Sequence, residues 1–382
     1  MPAHVSAHAA SAHPDGVRVL VANAGSSSLK LSWVHDGSVE VARELPAPQA
    51  RIDPRQVQST LEEVSLRDIQ AVGHRIVHGG PRFRQAVIVD EQVERALREL
   101  VAIAPLHQPK SLAALDAISA VLPDIPAVAC FDTSFHATLP AAASTYALPQ
   151  KWIQRWELRR YGFHGLSHAW VARRAPEILQ VSPDGLRIVS CHLGAGASLC
   201  AIRDGKSVDT TMGFTPLEGL VMATRSGTVD PGLLLWLLEQ SDLSPSELAE
   251  ALEHESGLLG LTGDADMRVV LARSNDGDAR ARLGVEVYIH RLRQEIASMA
   301  ASMGGLDVLV FTGGVGERAP EIRRRAVAGL GFLGLTLDDA ANARAGFDAC
   351  VETSTSAASI LVLQAREDLE IARQVESALT VA

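Results

Sequence analysis

The sequence has little of what a membrane protein, a disulfide scaffold or a nucleic-acid binder needs. Its 382 residues include only four cysteines, Cys130, Cys191, Cys200 and Cys350, with no C-x-x-C pair. In a chain this long that is no disulfide framework, and a reducing compartment, the cytoplasm, is expected. No apolar run reaches the roughly 18 residues of a membrane span. Lys and Arg number 35 against 45 Asp and Glu, a formal net charge of −10. A chain this acidic is a poor partner for nucleic acid or an anionic membrane, although a local basic pocket for a small anion stays open. Residues 1–16 carry no basic stretch followed by an apolar one. They are expected to form a flexible extension, not a secretory signal, with His4, His8 and His13 as stray tail histidines. Two nucleotide patterns are also missing. Gly205-Lys206-Ser207 supplies the end of a Walker A loop, but Cys200 stands at its first glycine position, and no G-x-G-x-x-G follows a strand.

What is present is an ordinary globular composition, 47% apolar and 21% charged, long enough for two domains or at most three. RVLVANAG from Arg18 is an apolar run ending in glycine, followed by SSSLKLSWV and then Asp36-Gly37. Asp-Gly between alternating apolar stretches predicts a hairpin. The same order returns from Arg187: RIVSCHLG, a strand, then Asp204-Gly205. Arg18 aligns with Arg187 and Gly25 with Gly194, and a repeat half a chain away implies two similar domains from a duplication. Three- and four-residue apolar spacings predict helices over 91–103, 110–121, 166–179, 231–240, 245–253 and 280–302. Ser244 before Pro245 and Glu247 marks a helix start. Short apolar strands lie within 71–80, 125–135, 306–314 and 359–365, so the class is α/β. The Pro- and Ala-rich segment 137–161 is a candidate crossing between domains.

Three glycine loops follow predicted strands. Asn23-Ala24-Gly25-Ser26-Ser27-Ser28-Leu29-Lys30 offers hydroxyls and a cation to an anion, or is a solvated hairpin tip. His192-Leu193-Gly194-Ala195-Gly196-Ala197-Ser198 is its counterpart in the repeat. Phe311-Thr312-Gly313-Gly314-Val315-Gly316-Glu317 is a strand-to-helix turn, a common nucleotide site. Polar side chains also interrupt apolar strands. Arg75 lies in GHRIVHGG, where a buried guanidinium needs an anion. Asp132 ends a strand, His164 sits beside two glycines, and Arg225 occupies a small-residue loop. Each also reads as structure: Arg75 and Arg225 as ion-pair members, Asp132 as a helix cap. His74 and His78, like His164 and His168, lie four apart without the Glu of H-E-x-x-H, so zinc is not expected. Glu317 and Glu367 are open to reading as surface carboxylates.

Taken in order, NAGSSSLK, GHRIVHGG, APLHQP, FDTSFH, RRYGFHGLSH, CHLGAGAS, TRSG with Asp230-Pro231, FTGGVGE and REDLEIAR resemble the acetokinase family, from about Val17 to the end of the chain. The resemblance implies two duplicated ribonuclease H-like (actin-like ATPase) domains with mixed central sheets and a nucleotide cleft between them. Residues 17–145 with 370–382 would form one, and 146–369 the other, on the nucleotide and dimer side. It implies a homodimer and a reversible, Mg²⁺-dependent (or Mn²⁺-dependent) in-line transfer between ATP and acetate, giving acetyl phosphate and ADP.

Roles follow by motif position. Asn23, Ser26, Ser28 and Lys30 would line the first phosphate loop. Arg75 and Arg225 would hold the acetate carboxylate and the phosphoryl group. His107, in a strand, and His164 would bond phosphoryl oxygens. Asp132, Glu367 and Asn23 would serve Mg²⁺, with Asp132 also near the attacking carboxylate. His192, Gly194, Ala195 and Gly196 belong to the second phosphate loop. Asp266, Met267 and Arg268 would contact adenosine, with Gly313, Gly314, Val315 and Gly316 beside the base. Val77, Leu106, Phe163 and Pro216 would wall the methyl pocket. Acetate is already ionised at neutral pH, so two arginines, a histidine and Mg²⁺ matter more than a general base.

The chain departs from the family's commoner pattern at Ala195, where Asn is usual, and at Thr228, Gln108, Lys110, Ser111 and Arg318. These changes bear on the phosphoryl donor, with ATP the default and pyrophosphate an alternative. Other readings are a propionate- or butyrate-preferring kinase, and a nucleotide-switched binding protein related to actin or Hsp70. The paired arginines argue against the last.

Overall fold

A computed structural model describes residues 16–25, 28–47, 52–64 and 69–381. Ser26 and the N-terminal extension through residue 15 lie outside the described residues. The chain divides into two compact units, one built from residues up to Ser134 and from Glu367 onward, the other from Phe135–Arg366.

In the first unit, β1 (Val19–Ala24), β2 (Ser28–His35) and β3 (Ser38–Pro46) form an antiparallel ribbon, and β4 (Ala71–Ile76), β5 (Val87–Ile88) and β6 (Ala127–Phe131) complete the sheet. The order is β3-β2-β1-β4-β6-β5. β1, β4 and β6 run parallel, and β5 is an antiparallel edge. The predicted hairpin turn forms at Asp36 and Gly37, both at positive φ (47° and 67°), as its type requires. On one face, Leu20, Ala22 and Val72 pack with Ala114 and Ile118, while Ile76, Ala129 and Phe131 pack with Leu112 and Leu115. The final helix, Glu367–Val381, lies on β1, β4 and β6. Gly73 admits it, since a Cβ there would lie 2.6 Å from Ile371 and 2.8 Å from Val375.

In the second unit, β7 (Arg187–Leu193), β8 (Ala197–Arg203), β9 (Lys206–Thr210), β10 (Val308–Thr312), β11 (Ala349–Cys350) and β12 (Ser359–Val362) take the order β11-β12-β10-β7-β8-β9. Read from the ribbon, this is the same sequence of parallel and antiparallel neighbours as in the first unit. Asp204 and Gly205 repeat the positive-φ turn at 53° and 70°. The fold is thus α/β, with two mixed six-stranded sheets of one topology, as the repeat implies.

The predicted helices form close to their expected limits. Glu91–Glu99 continues as a 3-10 turn, Pro231–Gln240 matches the spacing, and Ala279–Met303 is capped by Asp278. Ser244 and Glu247 make a reciprocal capping box, but the following helix ends at Glu250 and gives way to a wider turn, Ala251–Glu255. His107 is a correction, because it does not lie in a strand. It stands at the cap position of the Gln108–Val121 helix. Ala-Pro-Leu reads as extended, but Pro109 falls in the helix's first turn, where its missing N–H and fixed φ are favourable.

Candidate active site

Each unit gathers predicted residues at the ends of its parallel strands. In the first, Arg75 lies on β4, next in the sheet to β1 and β6. Its Nε donates to Asp132 Oδ1 at 3.0 Å, its Nη2 to Asp132 Oδ2 at 2.7 Å, and its Nη1 to Asn23 Oδ1 at 3.0 Å. Asn23 Nδ2 donates in turn to Glu367 Oε2 at 2.9 Å. Asp132 is therefore an ion-pair partner of Arg75, and its side chain is 1% exposed. Burial pushes the Asp132 carboxyl above its usual range. Arg75 opposes that shift, Glu367 adds to it, and His107 lowers it. Burial also works against the Arg75 charge, but the two carboxylates outweigh it and the guanidinium pKa is raised. The result is a fixed cation bonded to one carboxylate, with a second carboxylate close by, a kind of charge cluster that recurs at functional sites.

Other predicted residues of this unit take different positions. Lys30 lies on β2 opposite Asn23 and is exposed. Ser28 hydroxyl donates to Glu44. Gly25 N–H donates to Ser28 O at 2.8 Å and closes the turn. Val77 follows β4 and is half-buried, and Leu106 is exposed.

In the second unit, His164 sits at φ 55°, ahead of the Gly165–Leu179 helix. A left-handed backbone is uncommon at a non-glycine residue outside a tight turn. The His164 ring stacks on His192 with centroids 4.4 Å apart. His164 Nδ1 meets Ser198 Oγ at 2.9 Å and His192 Nδ1 meets Ser167 Oγ at 2.8 Å. The loop after β7 closes with Gly194 N–H donating to Gly196 O at 2.9 Å. A Cβ on Gly196 would lie 2.7 Å from Arg225 Nη2 and 3.3 Å from His164 Nε2. Glycine there lets the guanidinium and the imidazole edge meet over the loop. Arg225 Nη1 donates to Pro216 O at 2.7 Å, and its Nε lies 3.7 Å from Glu253 Oε2. Ala195 contributes its carbonyl to Ala223 N–H at 3.0 Å.

Gly313, at φ 77°, begins the Gly313–Arg318 helix directly after β10. A Cβ there would lie 2.8 Å from Leu193 O, so this turn abuts the Gly194 loop. Glu317 is no surface carboxylate. Its Oε1 accepts from Gly313 N–H at 3.0 Å and Ala365 N–H at 2.8 Å and pins the turn. Gly314 and Val315 lie within that turn, and Gly316 is buried. Phe163 is 1% exposed, and its carbonyl meets His136 Nε2 at 3.0 Å. Asp266 caps the Met267–Asn275 helix and pairs with Arg268 at 3.0 Å, while Met267 is buried. Their hydrogen bonds are local, and none joins them to the glycine loops among the described residues.

Sequence reading passed over Ser190, which bonds a histidine, and Glu253, which faces Arg225, and it quoted Ser198 as the end of the second glycine loop without its bonds to two histidines. The only cue for the serines was a hydroxyl in an apolar strand, the same kind of cue that singled out Arg75.

With this geometry in place, comparison with known proteins settles the family. The Acetokinase family pattern matches residues 55–373. The chain belongs to the acetokinase family. An acetate kinase of Trichormus variabilis is 49% identical over 310 residues, 81% of this chain and 76% of that protein. A crystal structure of Porphyromonas gingivalis acetate kinase matches with a TM-score of 0.87 and 35% identity, over 95% of this chain and all of that one. A propionate kinase structure from Francisella tularensis matches with a TM-score of 0.85 and 33% identity, over 94% and 98%.

Proposed function

We infer that this chain is a phosphotransferase that moves a phosphoryl group reversibly between ATP and acetate, giving acetyl phosphate and ADP. The observation that carries this reading is the 49% identity to an acetate kinase over four fifths of the chain. The buried Arg75–Asp132 pair, set among residues of that family's motifs, supports it.

The chemistry is a meeting of two anions. Arg75 offers its guanidinium to the acetate carboxylate, and Arg225, held by Pro216 O and Glu253, offers its own to the phosphoryl oxygens. Fixed donors of this kind stabilise the charge of the transition state without reorganising when the reaction occurs. His164 adds a ring donor beside Arg225, and His107 stands near Asp132. Val77 and Leu106, with Phe163 and Pro216, are the apolar residues assigned to the methyl group. Nucleotide phosphates are assigned to Lys30, Ser28, His192, Gly194, Ala195 and Gly196, and the nucleoside to Asp266–Arg268 and Gly313–Gly316.

A divalent cation fits the first cluster. Asp132 and Glu367 are two hard oxygen donors; burial above all, and then repulsion from Glu367, raises the Asp132 pKa, and a cation would relieve that repulsion. Asn23 Oδ1 is turned toward Arg75, so the carboxylates are the better ligands. Two carboxylates suit Mg²⁺, which keeps waters and takes substrate phosphates as further ligands. When bound, the ion neutralises phosphate charge. Arg75 and Asn23 hold the two carboxylates in place.

A homodimer is supported by the Pro231–Gln240 helix. None of its residues is buried, and Leu235 and Trp236 are 63% and 56% exposed, an apolar surface that suits a second copy. Light scattering should give twice the chain mass, and Trp236→Glu should give the monomer. A persistent dimer in that variant removes this helix from the interface. A cytoplasmic site is consistent with unbridged cysteines, three of them buried. No described helix is long and apolar enough to cross a membrane.

The test is an acyl phosphate assay trapped with hydroxylamine, with MgATP and acetate, propionate or butyrate. The expected result is acyl phosphate dependent on acid and highest with acetate. Highest turnover with propionate would move the substrate toward that of the Francisella relative. Product with pyrophosphate but none with ATP would point to a changed donor site at Ala195 and the neighbouring departures. No product with any donor would overturn the reading.

A further inference from the structure

Behind His164 lies a chain of buried side chains that the reaction does not touch. His168 is fully buried in the Gly165–Leu179 helix. Its Nδ1 meets Ser190 Oγ on β7 at 2.9 Å and its Nε2 meets Ser198 Oγ on β8 at 2.9 Å. Ser198 Oγ also meets His164 Nδ1 at 2.9 Å. Four side chains therefore form one line, Ser190–His168–Ser198–His164.

Proton counting gives the line a direction. Burial, with His136 and His192 close by, holds the His168 pKa well below its ordinary value, so the ring is neutral and carries one N–H. A serine hydroxyl has one proton. Two arrangements satisfy all three contacts. In the first, Ser190 donates to His168 Nδ1, His168 Nε2–H donates to Ser198, and Ser198 donates to His164 Nδ1. In the second, every donor reverses, and the Ser190 proton is left without an acceptor among the described residues. Ser190 is fully buried, and a buried hydroxyl proton with no acceptor is strongly disfavoured. The first arrangement is selected.

We propose that the His168–Ser198 relay fixes neutral His164 as its Nε2–H tautomer, so that the ring presents an N–H, not a lone pair, on the side of Gly196 and Arg225. That edge is the one at which a Gly196 Cβ would meet His164 Cε1 and Nε2, both at 3.3 Å, and Arg225 Nη2 at 2.7 Å. A lone pair there would repel an anionic oxygen, whereas an N–H adds a donor next to the guanidinium. Which nitrogen of a histidine carries the proton is set by the bond its other nitrogen makes. Ser190, His168 and Ser198 are thus positioning residues. Their value for transfer rests on the reading of His164 as a phosphoryl contact.

The test is long-range ¹H–¹⁵N correlation on protein labelled with ¹⁵N-histidine, with the His164 signals identified by their loss in His164→Gln. The expected wild-type pattern is a protonated Nε2 and an unprotonated Nδ1. Ser198→Ala should give a mixture of tautomers and lower kcat about ten- to a hundredfold, with KM for acetate and MgATP little changed. Ser198→Thr, which keeps the hydroxyl, should restore both readouts. Ser190→Ala, which removes the terminal donor, should also admit the Nδ1–H tautomer. A wild-type ring protonated at Nδ1, or a Ser198→Ala ring with an unchanged tautomer, overturns the proposal, and the wild-type spectrum decides even if a variant fails to fold. Full transfer activity in His164→Gln alongside the expected spectrum would support the relay and remove His164 from the phosphoryl site.

Discussion

The two sheets share a topology but carry different chemistry at the same strand ends. Laying β1 on β7 by the hairpin repeat and reading across the registers pairs Asn23 with His192, Lys30 with Ser198, His74 with Phe311 and Arg75 with Thr312. Counting on along the chain, one step past β6 and three past β12, pairs Asp132 with Ala365. The first sheet thus ends in a charged cluster, and the second in neutral side chains with glycine loops. Duplication preserved the backbone that brings three parallel strand ends together. The side chains at those ends then diverged, toward an ion-paired guanidinium in one unit and toward glycine loops and imidazoles in the other.

The sharpest way to break this comparison is to give the first sheet the second sheet's residues. Arg75→Thr should lower acyl phosphate formation by about 10²–10³, or roughly 3–4 kcal/mol of transition-state stabilisation. It also strands the buried Asp132 carboxylate, so stability should fall by about 3–5 kcal/mol in urea unfolding. The double variant Arg75→Thr, Asp132→Ala should recover much of that stability and none of the activity. Recovery of activity would mean that the cluster is structural.

In the second unit, Gly196→Ala places a methyl group 2.7 Å from Arg225 Nη2. The backbone there is not strained, so the fold should persist while the guanidinium shifts, and kcat should fall about 10–100-fold, as small misplacements do. Gly194→Ala meets Gly196 O at 3.3 Å and His192 Nε2 at an ordinary contact distance of 3.7 Å, and should cost much less. Equal effects would show that the loop, not the approach of Arg225, is what matters.

Acid should destabilise both units through buried histidines. Burial lowers His74 to about 3, and neither ring nitrogen has a hydrogen-bond partner among the described residues. Its pKa is lower folded than unfolded, so the stability it provides is full above about pH 6.5 and is lost as pH falls toward 3. Between pH 7 and 5 the loss is about 2 kcal/mol. His136, lowered to about 4, and His168 add losses of the same sign. His74→Phe, the second sheet's residue, should remove His74's share of the slope in unfolding curves at the two pH values.

The smallest effect belongs to Thr312, whose buried Oγ1 has no partner among the described residues. Thr312→Val should be neutral or stabilise by up to about 1 kcal/mol. A large loss of activity instead would assign that hydroxyl to a ligand.

Much of this was legible in the sequence. The hairpins were readable because Asp-Gly allows few other turns, and Arg75 because a guanidinium in an apolar strand requires a partner. The equivalence of Arg75 and Thr312 was not, since it depends on strand register, which the letters do not carry. Val87–Ile88 and Ala349–Cys350 are too short to show a period. His107 was misplaced because proline suits both an extended segment and a helix's first turn. Ser190, Ser198 and Glu253 look like ordinary core and helix residues until three-dimensional neighbours give them roles.

The central claim is a division of labour: the Arg75 cluster serves transfer, and the glycine loops of the second unit hold the nucleotide. Calorimetric titration of MgADP into wild type and Arg75→Thr, alongside their acyl phosphate rates, tests it most directly. The account predicts MgADP affinity within a few-fold of wild type, with transfer lower by about 10² or more. Loss of MgADP binding in a folded Arg75→Thr protein, or transfer close to the wild-type rate, would contradict it.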